Sequence, residues 1–161
     1  MSQKRFVNIA EMVISDSADD QLIAPNLGSC LGIAIYDRKK KIGGLIHCLL
    51  PTAKSDPAKA EQSPCTYVDT GFHLLFESMH NKGCSREDLV IVVVGGASIN
   101  DPNGVFEIGK KNFTILRKLL WKNNLLMHAN DVGGGSSRTL TLSIADGSMT
   151  LKTEGKETKL N

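Results

Sequence analysis

The sequence predicts a single-domain α/β layered sandwich, a mixed, largely antiparallel β-sheet with helices packed on it. Three observations predict this class. Val68, Phe72, Leu75 and Met79 recur at i, i+4, i+7 and i+11, and Ile108, Ile115, Leu116, Leu119 and Leu120 form a second helical stripe. Residues 89–94 are an apolar, mostly β-branched run without alternation, the pattern of a strand buried on both faces. Apolar segments at 31–36 and 41–50, and again at 139–144 and 149–152, are joined by short polar turns, as in hairpins. Strands and helices interleave without strict alternation, which implies a mixed sheet.

A chain of 161 residues suits one domain. Its 41% apolar content is enough for a sizeable core and excludes wholesale disorder, and its 5% aromatic content makes that core aliphatic. Nineteen Lys and Arg against 17 Asp and Glu leave a formal +2, which does not suggest a nucleic-acid binder. The longest clean apolar run, 89–94, is far below the ~18 residues that span a bilayer. The start of the chain leads into no signal segment, so the expectation is a cytoplasmic protein without membrane insertion. Four cysteines, Cys30, Cys48, Cys65 and Cys84, contain no CxxC. In a reducing compartment they read as buried thiols or as one catalytic thiol.

In chain order, 6–14 reads as a weak strand, and 15–26, polar and containing Pro25, as a loop. Strand 31–36, a charged turn at 37–40 and strand 41–50, ended by Pro51, follow. Residues 52–65 read as a loop carrying Pro57 and Pro64. A helix is expected from Thr66, with Thr66 as cap, Asp69 as the capping-box acid and Gly83 as the stop. After strand 89–94 come a second helix at 108–121, a turn at Asn123-Asn124 and a short strand at 125–129. The last hairpin turns at Asp146-Gly147. Residues 153–161 read as a polar tail, leaving 1–152 as the domain.

The chemistry concentrates at the first hairpin. If it closes symmetrically, with Tyr36 opposite Lys41, paired residue numbers sum to 77 and Cys30 falls opposite His47. Directly opposed Cβ atoms are ~4.5–5.5 Å apart, close enough for thiol and imidazole to meet. Gly32, Ala34, Gly43 and Leu45 share that face, whereas Leu31, Ile33, Ile35, Ile42, Ile46, Cys48 and Leu50 form a core face, where Cys48 is inert. A neutral-pH thiol nucleophile needs help, and an adjacent imidazole can take its proton and hold a thiolate ion pair. Backbone N–H groups at Gly28 and Ser29 could bind a developing oxyanion. Such a site suits acyl transfer. Cys30 and His47 also read as a small buried residue and a satisfied strand histidine, and spacing leaves both readings open.

Other signals point to structure. Gly104–Lys111 looks like a phosphate-binding loop, but Lys111 stands where Ser or Thr must hold Mg²⁺. Gly133-Gly134-Gly135 reads as a turn needing positive φ, and Asp131 as an Asx-type cap. His73 and His80 lack a third ligand and are expected at the surface, so no metal is implied. Cys65 and Cys84 have no acid or base beside them in the sequence. Arg38 to Lys41 read as a solvated turn.

Leu27-Gly28-Ser29-Cys30, Tyr36-Asp37, Lys41 to His47 and Leu50-Pro51 together resemble the chemoreceptor glutamine deamidases, the CheD family. The resemblance continues through Tyr67-Val68-Asp69, Gly95-Gly96-Ala97, Ile108 to Asn112, Asp131 to Gly134 and Arg138, and spans roughly 6–152. It implies a protein-glutamine glutaminase of Cys-His type that converts glutamines of methyl-accepting chemotaxis receptors to glutamate and releases ammonia. By position, Cys30 is the nucleophile and His47 the general base. No cofactor is implied. An α/β/α-type sandwich is the implied fold, and a CheC-type chemotaxis phosphatase is an implied partner. One departure stands out. The family usually places a Thr six residues before the Cys to orient the histidine, and here that residue is Ala24, with Asn26 as the neighbouring substitute. A catalytically weak adaptor that binds receptors or the phosphatase is the alternative, and hydrolysis of receptor methyl esters is chemically open to the same thiol.

Overall fold

The chain is described by a computed structural model covering residues 2–101 and 103–161. Its strands are β1 (Gln3–Phe6), β2 (Glu11–Ser15), β3 (Asp20–Leu27), β4 (Leu31–Asp37), β5 (Ile42–Cys48), β6 (Leu89–Gly95), β7 (Ala129–Val132), β8 (Arg138–Ser143), β9 (Met149–Thr153) and β10 (Lys156–Lys159). Its α-helices are α1 (Pro57–Gln62), α2 (Val68–Asn81) and α3 (Ile108–Lys122). One sheet runs β1-β3-β8-β9-β10 and the other β2-β5-β4-β6-β7. Both are mixed and largely antiparallel, with parallel pairs only at β1–β3 and β6–β7 among the described strands. No described helix is long and apolar enough to cross a membrane.

Alternating side chains of β4, β5 and β6 sort the core into two slabs. Leu31, Ile33, Ile35, Ile46, Ile91 and Val93 pack against Phe72, Leu75 and Met79 of α2 and Leu116 and Leu120 of α3. The alternate residues Ala34, Tyr36, Leu45, Val92 and Val94 pack against Leu22, Leu140, Leu142 and Met149 of the other sheet. The layers are therefore helix, sheet, sheet. The face opposite the helices is covered by a second sheet, not by the second helical layer that an α/β/α sandwich would have. Gly32, Ala34 and Gly43 line that inter-sheet face, so the small residues serve sheet-on-sheet approach.

The expected loop at 15–26 contains a strand, β3. Leu22, Ala24 and Leu27 point inward, and Pro25 falls within a register shift between Ala24 and Leu27, where a missing N–H breaks no ladder. The expected strand at 6–14 is instead two strands, β1 and β2, in different sheets. The loop at 52–65 holds α1, opened by Pro57 at its first turn and by the Asp56 carboxylate accepting from Lys59 N at 3.3 Å. Thr66 does not cap α2. The cap is Tyr67 without a side-chain bond, and the Thr66 hydroxyl pairs with Ser63 at 2.6 Å. The expected strand at 125–129 begins only at Ala129, and the tail at 153–161 carries the exposed edge strand β10.

Helix α3 seats its first turn on the segment after β6. A Cβ on buried Gly109 would come within 2.5 Å of the Gly96 carbonyl oxygen. Gly109→Ala should therefore cost ~2–3 kcal/mol through overpacking. Circular dichroism melts should show Tm falling by roughly 5–10 °C with the folded spectrum retained. An unchanged Tm would mean that this contact is not tight.

Candidate active site

The β4–β5 hairpin sets the site. Buried Asp37 organises its turn, its Oδ1 accepting from Lys39 N and Lys40 N at 2.9 Å each. Burial pushes this carboxyl up, but these amides and that of Ser85 outweigh it and hold the group below the usual carboxylate range. Lys41 takes a left-handed φ of 56°, and Asp37 pairs with Ile42. The loop is thus four residues long. Partners sum to 79, so His47 lies opposite Gly32 rather than opposite Cys30. A two-residue offset changes the partner and preserves the face, because the side-chain period is two. Cys30, one residue before β4, is the diagonal neighbour of His47 on the inter-sheet face, and such neighbours have Cα atoms about 7–8 Å apart.

His47 is oriented by backbone. Its Nδ1–H donates to the Val7 carbonyl at 3.0 Å, and Val7 N donates to Ile23 O at 2.7 Å, tying that carbonyl to β3. This fixes the tautomer and leaves Nε2 as the basic nitrogen. Among the described residues, buried Nε2 has no hydrogen-bond partner. Asn26 does not hold the ring. It lies exposed, with φ of 54°, at the β3 bulge. Burial lowers the His47 pKa below 6.5, and the Val7 carbonyl and Glu11 only partly oppose this. Burial likewise raises the Cys30 thiol above 9.0, against the weaker pull of its own backbone N–H. Residue exposure is 5% at Cys30 and 2% at His47. Both shifts favour the neutral forms of thiol and imidazole over an ion pair.

Three consecutive carbonyls fix the loop before β4. Gly28 O accepts from Ala97 N and Cys30 O from Gly96 N, both at 2.9 Å. Ser29 O accepts from Asn112 Nδ2 at 2.9 Å. The same Nδ2 also donates to Leu49 O at 3.2 Å, so one buried amide on α3 joins the thiol's loop to the end of the imidazole's strand. The N–H groups of Gly28 and Ser29 donate to none of these loop carbonyls, and that of Cys30 lies against its own thiol. Gly95, at φ of 119°, lies so close that a Cβ would collide with the Cys30 carbonyl oxygen. Arg138 secures that corner from the far sheet, with Nε 2.7 Å from Asp131 Oδ1 and an Nη1 donation to Gly95 O at 3.2 Å.

Residues 49–153 match the family described as CheD chemotactic sensory transduction. The chain is 40% identical over 150 residues to the probable chemoreceptor glutamine deamidase CheD 1 of Syntrophus aciditrophicus (strain SB), covering 93% of this chain and 94% of that protein. It is 40% identical over 155 residues to the probable chemoreceptor glutamine deamidase CheD of Solibacter usitatus (strain Ellin6076), covering 96% and 92%. It is also 38% identical over 154 residues to the probable chemoreceptor glutamine deamidase CheD of Methanococcus vannielii, covering 95% and 96%. This chain belongs to the CheD family.

Beside Ser29, this CheD-family chain has a cavity of about 340 Å³, bordered by Ala97, Ile99, Phe106, Gly109 and Lys110. Asp101 builds its outer wall, its carboxylate accepting from the N–H groups of Val105, Phe106 and Glu107. A protein carboxylate thus occupies these amides, consistent with the segment's not being a phosphate loop. Burial disfavours the thiolate at the other three cysteines as well. Burial raises Cys48 well above 9.0 and also raises Cys65, while burial and Asp37 push Cys84 up to about 11. The fold, not the sequence, brings Asp37 to Cys84. His73 is exposed and pairs with Glu77 at 3.0 Å.

Sequence reading missed Val7, Asn112 and Arg138 as supports of the site. Asn112 left a trace, a polar residue at the helical spacing of Ile108, Leu116 and Leu120. Val7 left none, since it acts through its carbonyl. Asn112→Ala would strip Ser29 O and Leu49 O of their donor and should cost ~2–4 kcal/mol by urea denaturation. The His47 shift carries a sign. The unfolded chain protonates this ring near 6.5 and the fold resists it, so stability should fall as pH drops below that value. In His47→Gln, the slope of Tm between pH 7 and pH 5 should be shallower than in the parent.

Proposed function

We propose that this chain is a protein-glutamine glutaminase acting on chemotaxis receptors, with Cys30 as nucleophile and His47 as general base. One observation carries the reading: His47 keeps an unpartnered Nε2 on the face that also holds the Cys30 thiol, while its other nitrogen is fixed to Val7 O. The names of relatives at 38–40% identity supply the substrate class. The missing hydroxyl at Ala24 does not weaken this reading, since the Val7 carbonyl supplies the orienting contact.

In this mechanism His47 Nε2 takes the thiol proton as Cys30 Sγ attacks the side-chain amide carbon of glutamine. The C–N bond then breaks, the same proton passes to the departing nitrogen, and ammonia leaves a thioester. His47 next takes a proton from water, whose oxygen attacks the thioester, and that proton returns to sulfur as glutamate is released. Backbone N–H groups of Gly28 and Ser29 stabilise the oxyanion of both tetrahedral states. A neutral pair at rest makes His47 a base within the reaction step rather than the partner of a standing thiolate. A CheC-type phosphatase is the proposed protein partner.

A second reading, a catalytically weak adaptor, is favoured by the burial of both groups and the absence of a thiol–imidazole hydrogen bond. Mass spectrometry of a receptor cytoplasmic fragment separates the two. Deamidation adds about one dalton per site, and the gain should vanish in Cys30→Ala and slow by ~10²–10⁴-fold in His47→Gln. Full activity in Cys30→Ala would sink the nucleophile assignment, and no gain with the parent protein would favour the adaptor. The acid limb of kcat/KM should fall below pH 6.5, following the lowered His47 pKa.

A further inference from the structure

Helix α3 is charged on one side only. Its sequence holds Lys110, Lys111, Arg117, Lys118 and Lys122 and no acid. Without these five charges the formal +2 of the whole chain becomes −3. Lys111, Thr114, Arg117, Lys118, Trp121 and Lys122 all lie exposed along one face, about 17 Å long at 1.5 Å per residue. None of the five cations forms an ion pair among the described residues. Trp121 is 82% exposed. Glu107 borders the groove at the N-terminal end, Asp101, which feels Lys111, already accepts three loop amides, and Glu61 and Asp69 line a separate groove beside Leu119.

Two shallow grooves follow this face. One, of about 370 Å³, runs between α3 and Pro51, Thr52 and Lys54, just past the strand that carries His47. The other, of about 340 Å³, lies among Thr114, Arg117, Lys118 and Trp121. Lys110 borders both the first groove and the cavity at Ser29, so the basic face is continuous with the cavity beside the residue that precedes Cys30.

We propose that this face of α3 is a docking strip for an acidic helical segment of the protein substrate, whose glutamine reaches Cys30 from the Lys110 end. The proposal rests on the deamidase reading and adds the chemistry of the substrate around its target. Charge complementarity carries it: a row of unpaired cations, with one aromatic ring among them, matches glutamates on one side of a helix. Each turnover would add a carboxylate to such a segment, so a substrate with several target glutamines would grip the strip more firmly as it is modified. A lipid surface fits less well. A helix lying in a membrane buries an apolar face, and that face of α3, through Leu116 and Leu120, is spent on the core.

Trp121 is the only tryptophan, so its emission reports docking without any turnover. The probes are two helical peptides of about 20 residues with one central glutamine, flanked on one side by glutamates or by lysines. The glutamate peptide should shift the emission, bind at least ~10-fold tighter than the lysine peptide and weaken with salt. The double variant Arg117→Glu, Lys118→Glu should weaken its binding and raise its deamidation KM by about tenfold, with kcat unchanged. Equal binding or equal KM for the two peptides, an unaffected double variant, binding of neither peptide, or a shift seen only with vesicles about one-third phosphatidylserine would each overturn the strip. Charge-selective binding without ammonia release would uphold the strip and remove the deamidase reading. Ammonia released with the same KM from both peptides would do the reverse.

Discussion

The hydrogen bond from His47 Nδ1 to the Val7 carbonyl is the contact on which the candidate site depends. It turns a buried strand histidine into a base of defined tautomer, with Nε2 left free on the thiol's face. The carbonyl is available because Val7 leaves β1 and runs past β5 before β2 begins, with Val7 N held by Ile23 O and Ala10 N by His47 O. A side-chain hydroxyl in this role needs one specific residue. A backbone carbonyl needs only the path of the chain, so the ring is held although residue 24 is Ala.

The second constraint is the convergence of two elements on the three residues before β4. The segment after β6 takes two of their carbonyls, through Gly96 N and Ala97 N, and the Asn112 amide of α3 takes the third. Asn112 bridges the thiol's loop and the end of β5 from the helix layer, and Arg138 braces the adjoining corner from the far sheet. All three layers therefore contribute to holding one cysteine, and both reactive groups lie between the two sheets with little access to solvent. Burial favours the neutral form of each.

Much of this was legible in the sequence, and the errors have physical causes. The helical stripes gave α2 and α3, and the unbroken apolar run gave β6, because burial period and element type are local properties. Strand β3 was hidden because Pro25 ordinarily ends a strand, and only a bulge in the pairing with β8 accommodates it. The pairing of β4 with β5 was misjudged by two residues because the turn's length depends on Asp37 collecting amides and on Lys41 adopting a left-handed φ. The face survived that error, since a shift of two restores the same side.

The sequence by itself determined the element types, the face shared by Cys30 and His47, and the motifs that resemble one family, because each depends on neighbouring residues or on a period of two or 3.6. Tertiary structure decided the second sheet behind the site, the diagonal relation of thiol and imidazole, their burial, and the Val7 and Asn112 contacts. Those depend on which distant groups meet and how much water they exclude. A carbonyl oxygen is the same in every residue, so no pattern of side chains announces which one will hold the ring.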